Sequence, residues 1–428
     1  MGGSLLALVA VGSQDSYLSL RPQVTFFRGQ MRRYSMFSFE DIEQTLNGSP
    51  GLGRRQSAQI SRNGDLLMDL YIRAKLPTPI LTSEGSTPIV ADDLAAAASA
   101  AFVPYVGIQM IRYVELEIGG SRVDKLYPEY MMAMQELSTS ASHRVGVEAM
   151  CGNVPNPHKR DLYIPLPFYF CTASQALPLV SIAYHEVRVT IETRPLSELV
   201  LSKADLAAAI GIDISDPADT DIAVSYDEST FDLKLFGTYV FCESTERRRL
   251  AINAQEQLVT QVQEITENIG MGSTSKTIRV NWNHPVGAWY LMCQSEDNIA
   301  KNLLLNFENP NETDEYKCPV ENMKLRLNGH DKMVEMPGSY FNLWAAKKFH
   351  TAIPEDNGIL VYSHCLSPET MGTQPTGSIN YSRLDASEIA LNFKPSFTAA
   401  AGARIRIYAR NVNIARITGG MYGVAYSN

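Results

Sequence analysis

The chain has 428 residues, 45% of them hydrophobic and 19% charged, and a formal net charge of −9 at pH 7. It exceeds the roughly 250–300 residues at which single cores stop growing, so two domains are expected, and its composition excludes a disordered or collagen-like chain. The acidic balance excludes bulk electrostatic binding to nucleic acid or to an anionic membrane, both of which need a basic surface.

Residues 5–11 are apolar but far short of the roughly 20 residues of a membrane span. No basic flank precedes them, so no secretory signal is expected. Position six is Leu6 rather than Ser or Thr, so the myristoylation motif after Met1-Gly2 fails. Beyond this start, period-two patterns dominate. Strand-like runs fall near 36–46, 66–76, 111–118, 161–170, 183–193 and 230–241, then near 276–282, 302–307, 322–327, 358–364, 387–393 and 404–410. In residues 70–76, 187–192 and 405–410 the alternation puts one row on a core and the other toward solvent or a partner. Asn47-Gly48, Asn63-Gly64, Gly119-Gly120 and Asn328-Gly329 are turn dipeptides that accept positive φ. Regularly spaced helices are absent, which predicts an all-β chain of sandwiches or barrels. Three stretches interrupt it. Residues 77–106 read as a Pro-, Ser- and Ala-rich loop with an alanine run. Residues 197–229 read as a helix-like stretch at 199–210, then an acidic loop of Asp213, Asp216, Asp219 and Asp221 that makes the interdomain connection. Residues 296–319 read as a third loop.

No pattern supports catalysis. There is no HExxH, GxSxG or P-loop, and the glycine turns at 51–54 and 270–273 lack the strand-to-helix context of phosphate loops. The seven histidines show no metal-ligand spacing. His185 and Glu186 are adjacent, so in a strand they point to opposite faces. The four aspartates lack the glycine and terminal glutamate of a calcium loop. The chain is therefore read as no enzyme, with no cofactor and no metal. Its six cysteines are far apart and read as free, mostly buried thiols. Arg247-Arg248-Arg249 is expected to pair with nearby acids or a neighbouring subunit. Trp282, Trp289 and Trp344 are assigned to the core. Asn47, Asn311 and Asn380 open Asn-x-Ser/Thr sequons. Asn47 is compromised by Pro50, and Asn311 and Asn380 are glycosylation candidates only if the chain enters a secretory route.

The second half faintly repeats the first. Val114-Glu115-Leu116-Glu117-Ile118-Gly119-Gly120 reads like Met323-Lys324-Leu325-Arg326-Leu327-Asn328-Gly329, Arg32-Arg33 is loosely echoed by Arg247-Arg248-Arg249, and Tyr184 by Tyr381. Three matches in one order suggest a β-rich unit used twice.

A longer series of blocks carries a family resemblance. It begins with Pro22 to Phe27 (including Phe26), Arg32-Arg33-Tyr34, Phe39 to Thr45, and Ile60 to Leu66 with Asn63, Gly64 and Asp65. It continues through Gly119-Gly120, Tyr163 to Phe168, Ala176 to Leu179, and Tyr184-His185-Glu186-Val187. It ends with Asn328-Gly329-His330-Asp331, Gly338 with Tyr340 and Phe341, Tyr381 to Asp385, Tyr408 to Asn411, and Arg416 to Asn428. In these the chain resembles the major capsid proteins of nucleocytoplasmic large DNA viruses, nearest the algal-virus and iridovirus branch. The blocks break off around 77–110, 197–229 and 294–320.

The resemblance implies a double jelly roll: two tandem eight-stranded jelly-roll sandwiches in one chain, with short helices in loops. The expected division is an inner-face segment at 1–23, jelly rolls at 24–222 and 223–410, and a tail at 411–428. It further implies a late structural protein of the virion, made in host cytoplasm and assembled in viral factories. Three copies would form a pseudo-hexagonal homotrimeric capsomer that tiles an icosahedral shell over an internal membrane. The implied partners are neighbouring capsomers, minor capsid and penton proteins, and the membrane through the N-terminus, without direct nucleic acid contact. Two competing readings are a tandem jelly-roll carbohydrate-binding or carbohydrate-processing protein, which needs paired carboxylates or an aromatic platform, and a minor capsid paralogue.

Overall fold

A computed structural model describes residues 2–29, 31–49, 51–83, 102–154, 156–201, 222–399 and 401–426. The alanine run at 94–101, the acidic stretch at 213–221 and most of the helix-like run at 199–210 lie outside the described residues. The chain separates into two units, Met1–Met36 and Phe37–Asn428. The first holds two short helices, Gly2–Val9 and Ser13–Ser19. Leu5, Leu6, Ala7 and Leu8 are good helix formers, and Gly12 starts the second helix by donating its N–H to the Asp15 carboxylate at 2.9 Å.

The second unit is built of antiparallel strands. The first eleven are β1 (Phe37–Gln44), β2 (Leu46–Asn47), β3 (Arg55–Gln59), β4 (Leu66–Lys75), β5 (Thr78–Ser83), β6 (Ile111–Ile118), β7 (Ser121–Leu126), β8 (Leu162–Pro165), β9 (Val187–Thr193), β10 (Ile222–Asp227) and β11 (Asp232–Cys242). They form a sheet β1-β11-β4-β8, a facing sheet β2-β3-β9-β6-β7 and a ribbon β5-β10. The next ten are β12 (Gln255–Ile269), β13 (Ser275–Arg279), β14 (Pro285–Ser295), β15 (Val320–Leu327), β16 (His330–Pro337), β17 (Ile359–Ser363), β18 (Ile379–Asn380), β19 (Ser387–Phe393), β20 (Ala403–Thr418) and β21 (Met421–Val424). They form β12-β20-β14-β17, with β18 and β21 added, and β13-β19-β15-β16. Strand for strand the order repeats: β1, β11, β4, β8 match β12, β20, β14, β17, and β3, β9, β6, β7 match β13, β19, β15, β16. This is the jelly-roll connection made twice in one chain.

Alternation explains the layering. On β4, Leu70, Ile72 and Ala74 are buried while Tyr71 and Arg73 face outward, and on β20 Ile405, Ile407 and Ala409 join the core of the second sandwich. The repeated hairpins turn alike. Gly119 and Gly120 have φ of 62° and 78°, and Asn328 and Gly329 have 48° and 78°, the paired positive values of a two-residue hairpin. Both hairpins shift register at the same step, beside Leu116/Glu117 and beside Leu325/Arg326.

Several expectations need correction. Residues 302–307 are not a strand. Asn302 takes a left-handed φ of 63°, and Leu304, Leu305 and Phe307 are all buried, so the run is an apolar plug whose backbone bonds locally and joins no strand. The strand expected at 161–170 stops at Pro165, and β20 extends well past 410. Two eleven-residue helices, Pro128–Ser138 and Ala141–Cys151, occupy a region read without helix. Part of the loop expected at 77–106 is β5, paired with β10. Tyr184 is 77% exposed and Tyr381 only 3%, so that echo does not mark equivalent environments. Trp344, assigned to the core, is 56% exposed.

Candidate assembly surface

The two sandwiches meet through the segment that follows β7. Pro128 opens the helix Pro128–Ser138 where no backbone donor is needed, and the helix lies on the outer face of β12-β20-β14-β17. There Tyr130 packs against Tyr290 and Tyr408, each at 6.0 Å between ring centroids, and Tyr127 against Tyr408 at 5.6 Å. The apolar cluster of the first sandwich runs on through Ala288, Tyr290, Met292, Ile359, Val361 and Tyr408, so this junction is a core rather than a surface contact.

Three buried carboxyl groups order the junction. Glu129 lies 3.5 Å from the Arg194 guanidinium and 3.6 Å from that of Arg406, and accepts the Tyr408 hydroxyl at 3.1 Å. Arg406 also donates to Glu264 at 2.9 Å. Asp124 on β7 accepts the Val262 N–H of β12 at 2.9 Å, and burial pushes its carboxyl up to about 7. Glu136 accepts the Glu355 and Asp356 N–H groups at 2.8 and 3.3 Å. Burial first, and the charge of Glu136 second, raise Asp356 to about 8. Beside this pair lies a cavity of about 350 Å³ lined by Tyr105, Glu136, Glu148, Glu308, Glu355 and Asp356. Among the described residues no group of three or more His, Cys, Asp or Glu could hold a metal ion.

The corresponding outer face of the first sandwich, on β1-β11-β4-β8, is open among the described residues of the Phe37–Asn428 unit. Phe37 and Phe39 of β1 are exposed. Tyr71 stacks on Phe236 at 5.4 Å and tilts toward Tyr163 at 6.2 Å. Asp41 accepts the Thr238 hydroxyl at 2.6 Å, and Lys234 pairs with Glu43 at 3.2 Å. A second open feature follows β16: a π-helical turn, Tyr340–Ala345, runs into the helix Ala346–Phe349 and exposes Leu343 and Trp344, with Lys347 and Lys348 after them.

The sequence-derived positions occupy several places. Pro22, Phe26, Phe27, Arg32 and Arg33 lie in the first unit, after its second helix. Asn63, Gly64 and Asp65 form the approach to β4. A Cβ on Gly64 would stand 2.9 Å from Tyr239, and Asp65 accepts the Cys242 N–H at 2.8 Å and pairs with Arg247 at 2.8 Å. The arginine run thus contacts an acid, as expected. Gly119, Tyr184, His185 and Glu186 are brought together. The Gly119 N–H donates to the Glu186 carbonyl at 2.9 Å, the His185 ring covers Gly119, and the same ring contacts the Tyr422 backbone. Gly120, the second turn residue, is open, and no atom would lie within 4 Å of its Cβ. Asn328 holds the Ala386 N–H at 3.0 Å, with Gly329 completing the turn. Gly338 abuts the Val320 carbonyl so closely that a Cβ has no room, and Tyr340 packs edge-on against the buried Phe341 at 5.1 Å. The Asn311 N–H donates to Asn309 at 3.1 Å, and Asn380 caps the turn at Ser382.

These positions do not converge on a reactive centre. They set turns, close approaches and strand entries. The buried acids of the junction escaped sequence reading, although Glu129 directly after a helix-starting Pro128 and the apolar spacing of Met131, Met132 and Leu137 were available signals. All six cysteines are free, five of them buried. Trp282 and Trp289 are core residues 6.2 Å apart, so of the three tryptophans Trp344 alone is exposed.

Comparison with known proteins extends this picture. Residues 25–243 match the family described as major capsid protein N-terminus, and residues 246–423 match the family described as large eukaryotic DNA virus major capsid protein. The chain is 32% identical to the major capsid protein of Pyramimonas orientalis virus and 30% identical to that of Phaeocystis pouchetii virus, with all of each chain covered. Among solved structures, a quasi-atomic capsid of Paramecium bursaria Chlorella virus 1 superimposes with a TM-score of 0.74 at 26% identity, covering 94% of this chain and 100% of that one.

Proposed function

The chain belongs to the major capsid proteins of large eukaryotic DNA viruses, and we propose that three copies of it close into a homotrimeric capsomer that tiles an icosahedral shell. It is a structural protein of the virus coat and, like its relatives, not an enzyme. The observation that carries the trimer is the strand-for-strand duplication of the sandwich within one chain. Two like units per subunit turn threefold symmetry into six near-equivalent sides, and a cyclic trimer needs only one kind of heterologous contact. The two sandwiches in this reading change over at the helix Ser244–Ile252 rather than at residue 222, because β11 lies between β1 and β4. The first unit, ending at Met36, serves the inner side of the shell. Its apolar helix Gly2–Val9 is offered to minor capsid and penton proteins or to an internal membrane.

Sedimentation and negative-stain imaging of the purified full-length protein test the trimer. A trimeric mass with a six-cornered outline is expected, and a monomer at micromolar concentration would overturn it. Deleting residues 2–12 is expected to leave the trimer intact and impair particle assembly. Unchanged particles would remove the role given to that segment.

A further inference from the structure

The two sandwiches share a row of residues that only one of them covers. On the first sandwich the register aligns Glu43 of β1, Phe236 of β11 and Tyr71 of β4. On the second it aligns Glu264 of β12, Tyr408 of β20 and Tyr290 of β14. Two residues before the central aromatic stands a cation paired to the glutamate, Lys234 in one and Arg406 in the other. Tyr290 and Tyr408 are fully buried, sealed by the helical segment after β7. Tyr71 and Phe236 remain partly exposed beside the exposed Phe39.

The cover is duplicated too. β16 is the counterpart of β7, and it is likewise followed by a helical segment, the one that exposes Leu343 and Trp344. Among the described residues of the Phe37–Asn428 unit, then, one cover meets one face, and one face and one cover are left over. We infer that the surplus pair meet between copies: the Leu343–Trp344 segment of one subunit seats on the Phe39, Tyr71 and Phe236 face of the next. This rests on the homotrimer reading and names its seam. The occupant is a second copy because the internal junction supplies the template. Charge agrees, since Lys347 and Lys348 follow the knob while Asp41, and Glu43 with its partner Lys234, stand on the face. Such a contact is head-to-tail, which is what closure into a ring requires. Tryptophan is also among the residues enriched at the energetic anchors of interfaces.

The test uses full-length protein in analytical ultracentrifugation, with acrylamide quenching as a second readout. Trp344 is the one exposed tryptophan of the three, so it supplies the quenchable emission of the dissociated chain. Trp344→Ala is expected to raise the concentration for half-dissociation about 30-fold or more, while Val145→Ala, at an exposed residue outside the seam, leaves it unchanged. In wild type, quenching should fall as the trimer forms. If Trp344→Ala trimerises like wild type, or Trp344 stays equally quenchable in the trimer, the seam is overturned and the homotrimer stands. If wild type forms no trimer at any concentration, both fall.

Discussion

Sandwich one and sandwich two carry the same glutamate, aromatic and tyrosine row on the same sheet face. In sandwich two that face is core; in sandwich one it is surface. The strands do not differ enough to explain this. What differs is the neighbour: the helix Pro128–Ser138 reaches sandwich two, and nothing described in the Phe37–Asn428 unit reaches the face of sandwich one. Burial of an outward-facing sheet residue is therefore a property of what lies opposite it. An exposed aromatic row of this kind marks an interaction site.

The sharpest way to break the comparison is to remove one acid from the covered junction and one from the open face. Glu129 sits between two guanidinium groups with no access to water. Removing it strands buried charge, so Glu129→Ala should cost about 3–5 kcal/mol in urea unfolding. Glu43→Ala, which removes a half-exposed pair with Lys234, should cost about 0–1 kcal/mol. Equal losses would mean that the two faces are equally covered. The aromatics follow. Tyr290→Ala should cost about 3–4 kcal/mol by opening a cavity. In protein dissociated by dilution, Tyr71→Ala should cost below about 1.5 kcal/mol.

How much of this was legible beforehand follows from the same distinction. Alternation in residues 70–76 and 405–410 located β4 and β20, because half-buried strands write their two faces into the chain. The repeat of 114–120 in 323–329 marked the two hairpins down to the turn, because positive φ restricts the residues allowed there, while their shared register shift is seen only in the structure. The blocks of family resemblance carried the double jelly roll. The helix Pro128–Ser138 was hidden because it is buried on most sides between two sandwiches, with Glu129 and Glu136 inside, so its polar residues do not mark a solvent face. Residues 302–307 misled because an apolar plug and a buried strand look alike in a short run. Trp344 misled because size and hydrophobicity describe a core residue and an uncovered anchor equally well.

Proton binding separates the junction from the open face at lower cost. Asp124 and Asp356 have folded values near 7 and 8, raised mainly by burial from an ordinary 3.8. Between pH 6.5 and 8 the unfolded chain has already released these protons while the folded chain still holds part of them. The folded state therefore binds more protons, and stability falls as pH rises. Below 6.5, His364 works the other way: its burial lowers it to about 4, and the proton its unfolded form gains offsets part of the decline there. The window to examine is thus pH 6.5–8, where a loss on the order of 2 kcal/mol is expected. Asp124→Asn and Asp356→Asn should each flatten the decline. A melting temperature that climbs across this window would contradict the assignment.

The smallest effect compares the two hairpin turns. Asn328 already occupies a left-handed conformation and holds the Ala386 N–H, so Asn328→Gly should cost about 0.5–1 kcal/mol through that lost hydrogen bond. At the matching position, Gly119→Asn meets no greater backbone objection, since asparagine tolerates positive φ. It does meet the His185 ring, 2.5 Å from the new Cβ, and that ring contacts the Tyr422 backbone from the start of β21. The substitution should cost about 1–2 kcal/mol by overpacking, and His185→Ala should relieve most of that increment in a double-mutant cycle. Additive costs would show that the first turn is as open as the second, and that glycine stands at 119 for its backbone alone.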